Sequence, residues 1–199
     1  MTDQKGQWHL IRAFRMVVSR CKNAKLYIIG DGVFYNRLVS ITSDLGLEKS
    51  IIFTGYLKNP HELIVDCDVF VFTSIFEGLG NALLEAMACE KPVISTDCDA
   101  GPREIIAPGS DVMKKTKEIE YSEYGVLVPI FDFGNLNSSD EITREEKILA
   151  EAMIEFCQDG SLIEKYSKKS IYRIGFFSKE RITERWRKLI YDVIEGQQH

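Results

Sequence analysis

No stretch of the 199 residues is apolar over the roughly 18 positions that a membrane-crossing helix requires, and no signal peptide is expected. An excess of basic charge is also missing. Lys and Arg number 25 against 30 Asp and Glu, a net charge of −5. That argues against broad nucleic-acid binding, which needs a basic face, but leaves room for one small anion held by a local cation. Cysteine is sparse and unpatterned: five residues, at positions 21, 67, 89, 98 and 157, odd in number and without CxxC spacing. Four lie in or beside apolar segments, where a thiol acts as a small hydrophobe, so a reducing cytoplasm is the expected compartment.

What the chain does have is ordinary globular composition, 45% hydrophobic and 28% charged residues. Its length suggests one domain with a tail and a core that needs no disulfides.

The stretch that organises the chain runs from Phe72 to Ile106. The apolar strand Val69-Phe70-Val71-Phe72 leads into it, and the chain breaks at Glu77-Gly78-Leu79-Gly80. A helix follows over Asn81 to Cys89, stops at Lys91-Pro92, and gives way to a second strand, Pro92 to Ser95. Strand, glycine-bearing turn, helix and strand make the βαβ unit of a parallel sheet. Glu77 falls in the turn before the helix, and Glu85 falls in its second turn, roughly one 5.4 Å pitch further along. Gly78 and Gly80 remove side chains where backbone must come close to something. The free N–H groups of the helix start form an anion site. A carboxylate, an anion cradle and a second carboxylate in a row would fit a sugar, a diphosphate and a ribose in a row.

Elsewhere the pattern alternates. Lys5-Gly6-Gln7 leads into a helix with apolar residues at Trp8, Ile11, Ala13 or Phe14, and Val17 or Val18. Lys25 to Ile29 is a strand ending in Gly30-Asp31-Gly32, followed by a helix over about Phe34 to Leu45 that Gly46 caps. Ile51-Ile52-Phe53 is a strand with Thr54-Gly55-Tyr56-Leu57 at its end, and a short helix runs from Asn59-Pro60 toward Val65. After Ala107-Pro108-Gly109-Ser110, a polar segment sets Lys114, Lys115 and Lys117 near Glu118, Glu120 and Glu123. Mixed charge of this kind marks a solvated face, with lipid headgroups or another domain as the alternative contact. Tyr124 to Pro129 is a closing strand, and Asp132 to Asp140 a loop rich in Gly, Asn and Ser. Three helices follow, over Glu141 to Gln158, from Ser161, and after Phe177-Ser178-Lys179-Glu180. The last carries one apolar stripe of Ile182, Trp186, Leu189, Ile190 and Val193.

Glu77-Gly78-Leu79-Gly80-Asn81-Ala82-Leu83-Leu84-Glu85-Ala86-Met87-Ala88 resembles the E-x7-E segment of the group-1 (family 4) retaining glycosyltransferases. Pro92-Val93-Ile94-Ser95-Thr96-Asp97-Cys98, Gly101-Pro102-Arg103-Glu104-Ile105-Ile106 and the G-x-L-V-P-like Gly125 to Pro129 extend the likeness. The resemblance implies an α/β fold, a Rossmann-like parallel sheet flanked by helices that forms the C-terminal half of a GT-B enzyme. Residues 1–175 would be the nucleotide-sugar-binding domain. Residues 176–199 would be a C-terminal helix returning toward an N-terminal, acceptor-binding domain, and part of its stripe would be exposed without that domain.

It also implies roles. Glu77 would meet the sugar hydroxyls beside the reacting carbon, and Glu85 the ribose hydroxyls. Gly78, Leu79, Gly80, Asn81 and Ala82 would cradle the diphosphate together with Lys5 and Arg103. Gly30 and Gly32 would face the nucleotide, and Tyr56 and Leu57 the base. The family's upstream strand, with its Gly-Arg pair, has no counterpart before Lys5, so a fragment of a longer enzyme with weakened donor binding is expected. His9, His61 and His199 match none of the family's catalytic residues and read as surface or capping residues. Asp97-Cys98-Asp99 has the letters of a metal-binding DxD but follows a strand outside the expected pocket centre, so no metal and no cofactor are expected.

The implied activity is transfer of a hexose or N-acetylhexosamine, from a donor that is most simply UDP-linked, to a glycan or lipid-linked acceptor in surface polysaccharide synthesis (lipopolysaccharide or capsule). A cytoplasmic location, with peripheral contact at the inner face of the plasma membrane, would suit such a partner. A GT-B relative with epimerase or phosphorylase chemistry and a non-catalytic nucleotide-binding module remain as alternatives.

Overall fold

The computed structural model describes residues 1–132 and 137–196. His199 and the centre of the Asp132–Asp140 loop lie outside the described residues. The elements alternate as the apolar periodicity predicts: α1 Gln7–Arg20, β1 Leu26–Ile29, α2 Tyr35–Asp44, β2 Ile51–Gly55, α3 His61–Ile64, β3 Phe70–Phe72 and α4 Asn81–Ala88. They continue as β4 Val93–Thr96, α5 Pro102–Ile106, β5 Glu120–Tyr121, β6 Val126–Val128, α6 Arg144–Gln158, α7 Gly160–Ile174 and α8 Lys179–Gly196.

Pairing is parallel except at one margin. β3 runs beside β4 with Val71 opposite Ile94, and β4 beside β6 with Ser95 opposite Leu127. β1 runs beside β2 with Tyr27 opposite Ile52. β4 and β6 are buried along their whole length, as strands covered by helices on both faces must be. The ladder falls into two parts, β1-β2 and β3-β4-β6-β5. β5 is antiparallel to β6 and comes from the polar segment that the sequence presents only as a connection. A two-residue strand of Glu-Tyr carries no periodicity to detect.

One helical face is held by α1 against α6. Ile11, Val17, Leu149 and Ala152 meet there at 0–1% exposure, each large apolar chain contributing roughly 1.5–3 kcal/mol. The contact also contains a buried polar knot. Glu146 accepts from His9 Nδ1 at 2.8 Å and Arg12 Nε at 2.9 Å, and the remaining Arg12 nitrogens reach the carbonyls of Asn137, Asp140 and Glu141. His9 is 1% exposed and stacks on Phe131 at 4.3 Å, so it is a core residue and not the surface or capping residue its sequence context suggests. Its partner lies 137 positions away, which no local pattern could reveal. Glu146 also closes a capping box with Thr143 at the start of α6. On α8, Trp186, Leu189, Ile190 and Val193 are all more than half exposed.

Candidate functional site at the C-terminal ends of the parallel strands

Parallel α/β sheets place their ligands beyond the carboxyl ends of the strands, and the residues singled out in the sequence gather at that edge. The chain there is stitched together by short backbone contacts. Gly6, the N-cap of α1, has φ +57°, and a Cβ on it would meet the Thr73 carbonyl oxygen at 2.3 Å. Only glycine allows α1 to start this close to the end of β3. Around it, Thr73 Oγ1 donates to the Lys5 carbonyl at 2.8 Å. Ile75 N–H donates to the Gln4 carbonyl at 2.7 Å, and Gln4 Nε2 to the Phe76 carbonyl at 2.7 Å.

This strap delivers Lys5. Its Nζ lies 2.5 Å from Glu77 Oε1 and 5.6 Å from the Phe72 ring centroid. Glu77 is largely covered, with 11% of its side chain exposed, while Lys5 keeps 41%.

The turn carrying Glu77 is held from the other side. Phe76 bridges Asp99, and a Cβ on Gly101 would meet the Leu79 carbonyl oxygen at 2.2 Å. Gly101 has φ +80°, and Gly80, the N-cap of α4, has φ +81°. No side chain caps α4, so the first-turn amides at Asn81 and Ala82 face outward beside the exposed Gly78 and Leu79, a cradle suited to an anion. One turn on, Glu85 is half-exposed and lies 3.9 Å from His61 Nε2 at the start of α3. Lys5, Ala82 and Glu85 line one cavity of about 800 Å³.

The other expected positions lie along the same edge. Gly30 N–H donates to the Gly55 carbonyl at 2.9 Å, which sets the Gly30–Gly32 turn beside Tyr56 and Leu57. Tyr56 is 81% exposed, and Leu57 is half-buried. Gly32 has φ +145° and sits under the Met1 backbone.

Arg103 stands apart. It forms a bidentate pair with Asp97, Nε to Oδ1 at 3.0 Å and Nη2 to Oδ2 at 2.5 Å, and reaches both Glu120 oxygens at 3.0 and 3.1 Å. At 3% exposure its charge is already matched, and it braces β4, α5 and β5 instead of facing the cleft. The Arg103 bonds hold Glu120 at about 2, well below its ordinary range. The lysine-rich segment belongs to the same brace. Lys114 pairs with Glu120 at 3.1 Å, Lys115 with Asp99 at 2.8 Å, and Thr116 N–H donates to Asp97 at 2.7 Å.

Burial, reinforced by the Glu77 carboxylate, pushes the Cys98 thiol up to about 11, so it stays protonated beside the site. All five cysteines are free. Among the described residues no three His, Cys, Asp or Glu side chains converge on a metal position, and no helix is long and apolar enough to cross a membrane.

Sequence reasoning missed Gln4, which acts through contacts with the backbone of Ile75 and Phe76. It read His61 as a surface residue, which its half-exposed side chain is, but not as the neighbour of Glu85. Gly101 was quoted only within the family likeness, and its packing against Leu79 was not foreseen.

A family model described as Glycosyl transferases group 1 matches residues 1–123. The chain is 39% identical over 198 residues to an uncharacterized glycosyltransferase of Methanocaldococcus jannaschii, covering 98% of this chain and 48% of that protein. It is 31% identical over 180 residues to a Campylobacter jejuni enzyme, N-acetylgalactosamine-N,N'-diacetylbacillosaminyl-diphospho-undecaprenol 4-alpha-N-acetylgalactosaminyltransferase, covering 89% and 41%. Among solved structures, TarM of Staphylococcus aureus in complex with fondaparinux, alpha-GlcNAc-glycerol and UDP shares the fold at a TM-score of 0.77 and 24% identity, over 95% of this chain and 33% of that one. The chain thus spans about half the length of the curated relatives it matches, or less.

Proposed function

This chain belongs to the group 1 glycosyl transferases, and on that premise we propose that it forms the nucleotide-sugar-binding half of a retaining transferase with a UDP-linked hexose or N-acetylhexosamine as donor. The observation that carries the proposal is the Lys5–Glu77 pair at 2.5 Å, set beside the uncapped start of α4 with Glu85 one turn further along.

Transfer joins an acceptor hydroxyl to the sugar C1 as the bond from C1 to the diphosphate oxygen breaks, and the nucleoside diphosphate leaves with the electron pair. Developing negative charge on the leaving group is the main demand on the protein. In the proposed arrangement the amides at Asn81 and Ala82 and the Lys5 ammonium meet that charge. Glu77 holds sugar hydroxyls beside the reacting carbon, and Glu85 accepts from the ribose. Gly30, Gly32, Tyr56 and Leu57 border the nucleoside. Arg103 takes no part, because Asp97 and Glu120 already occupy its guanidinium. The C. jejuni relative, named as an N-acetylgalactosaminyltransferase acting on a diphospho-undecaprenol-linked sugar, supports an N-acetylhexosamine and a lipid-linked acceptor. Such an acceptor would bring the enzyme to the inner face of the membrane.

The deciding experiment is a thermal-shift titration with UDP, GDP, ADP and UDP-N-acetylhexosamines, repeated on Glu85→Ala. Ligand that binds only the folded state raises stability by RT ln(1 + [L]/Kd), so even weak binding registers at millimolar ligand. A rise confined to uridine compounds and lost in the variant is expected. An equal rise in the variant removes Glu85 from the site, and no rise with any nucleotide overturns the proposal.

A further inference from the structure

Helices α1 and α6 pack side by side, and each ends on a thiol. α1 starts at Gly6, against the end of β3, and its 14 residues carry it about 21 Å toward the opposite edge of the sheet. Cys21 is its C-cap and donates its N–H to the Val17 carbonyl at 2.7 Å. α6 follows β6 in the chain and carries Cys157 in its last turn. Near these ends Arg20 Nη1 and Glu151 Oε2 tie the helices at 2.8 Å, and Val17, Met153 and Phe156 belong to the core they share.

Cys21 packs on that core and is half-buried, while Cys157 is exposed on the wall of the cavity of about 800 Å³. The Cys157 thiol lies within hydrogen-bonding reach of the Cys21 thiol. Partial burial pushes Cys157 up to about 11, with Cys21 and then Asp68 adding to the rise. The other thiols are engaged elsewhere. Cys67 donates to the Leu63 carbonyl at 3.4 Å, Cys89 caps the end of α4, and Cys98 is buried beside Glu77.

We propose that Cys21 and Cys157 form a redox-active dithiol, which a low-molecular-weight disulfide converts into one intramolecular disulfide joining the end of α1 to the end of α6. The Cys21 thiolate attacks the reagent disulfide, forming a mixed disulfide and releasing one reagent thiolate. Cys157 then loses its proton to solvent and attacks the Cys21 sulfur, and the second reagent thiolate leaves with the bonding electron pair. Two protein thiols are oxidised, one reagent disulfide is reduced, and the two released thiolates take up the two protons. The raised value of Cys157 favours closure over reversal, since its ionised sulfur is a strong nucleophile and a poor leaving group. Proximity in the folded chain offsets its small thiolate fraction. Under a reducing poise the pair stays a dithiol. It lies at the edge opposite the candidate donor site, and its chemistry needs no nucleotide.

The test treats the full chain with oxidised glutathione at mildly alkaline pH, alkylates the remaining thiols and maps bridges by mass spectrometry without reduction. The expected product is a monomer lighter by two hydrogens, with one bridge between the Cys21 and Cys157 peptides that dithiothreitol reverses. It should form about ten-fold or more faster in the folded chain than in urea, because only the fold holds the thiols together. Cys157→Ser should stop at a glutathione adduct on Cys21. Adducts without a bridge in the full chain overturn the proposal, as does a bridge to Cys67 or between chains. A bridge that forms no faster in the folded chain than in urea also overturns it, as does a Cys157→Ser chain that still loses two hydrogens.

Discussion

Lys5 and Glu77 are 72 positions apart in sequence and 2.5 Å apart in the fold, brought together by a helix that starts on a glycine pressed against the end of β3. Lys5 remains 41% exposed, and partly exposed pairs contribute about 0–1 kcal/mol to stability. The pair therefore adds little to stability.

Lys5→Ala is expected to leave the melting temperature nearly unchanged while weakening UDP-sugar binding about ten-fold or more. A hydrogen bond to a charged group is worth roughly 1.5–3 kcal/mol, and about 1.4 kcal/mol is a factor of ten. Isothermal titration alongside a melting curve separates the two effects. A lost melting temperature with intact affinity would make Lys5 structural.

Two glycines at this edge, one in the Glu77 turn and one packed against it, are expected to behave differently. A Cβ on Gly78 meets nothing within 4 Å, whereas one on Gly101 would strike the Leu79 carbonyl at 2.2 Å with φ at +80°. Gly101→Ala should destabilise the fold by about 1–3 kcal/mol. Gly78→Ala should fold normally and lose nucleotide affinity if backbone approaches the diphosphate there. Chemical denaturation and titration of both variants check this.

Glu120 gives an acid signature. Its carboxyl is lowered from 4.5 to about 2, chiefly by Arg103, then against the cost of burial with help from Lys114 and Ser122. A lowered folded value means its contribution is complete above the unfolded value and is lost as pH falls, here between about 4.5 and about 2. Glu120→Gln should lower the melting temperature at neutral pH and flatten its decline across that window. A parallel decline in both proteins would remove Glu120 as the cause.

Glu146→Gln should be the most damaging of these changes, costing about 3–5 kcal/mol, since it leaves the Arg12 guanidinium buried without its counter-charge. Burial pushes the Glu146 carboxyl up, but the bonds from His9 and Arg12 outweigh it and hold it below its ordinary value. Urea denaturation measures the loss.

Local chemistry made most of the architecture readable. The apolar strands Phe70–Phe72 and Val93–Thr96, the helix from Asn81 and the glycines at 30, 32, 78 and 80 follow from periodicity and backbone freedom, which act over a few residues. So did the order of Glu77, the α4 start and Glu85, since a helix converts spacing directly into distance. Long-range partnership decided the rest. Arg103 looked like a free cation until Asp97 and Glu120 closed on it. His9 looked like a surface residue until α6 brought Glu146 beneath it, and β5 existed only because β6 offered an edge. Charge matching and sheet pairing depend on which segments meet in space, and that is determined by packing of the whole chain.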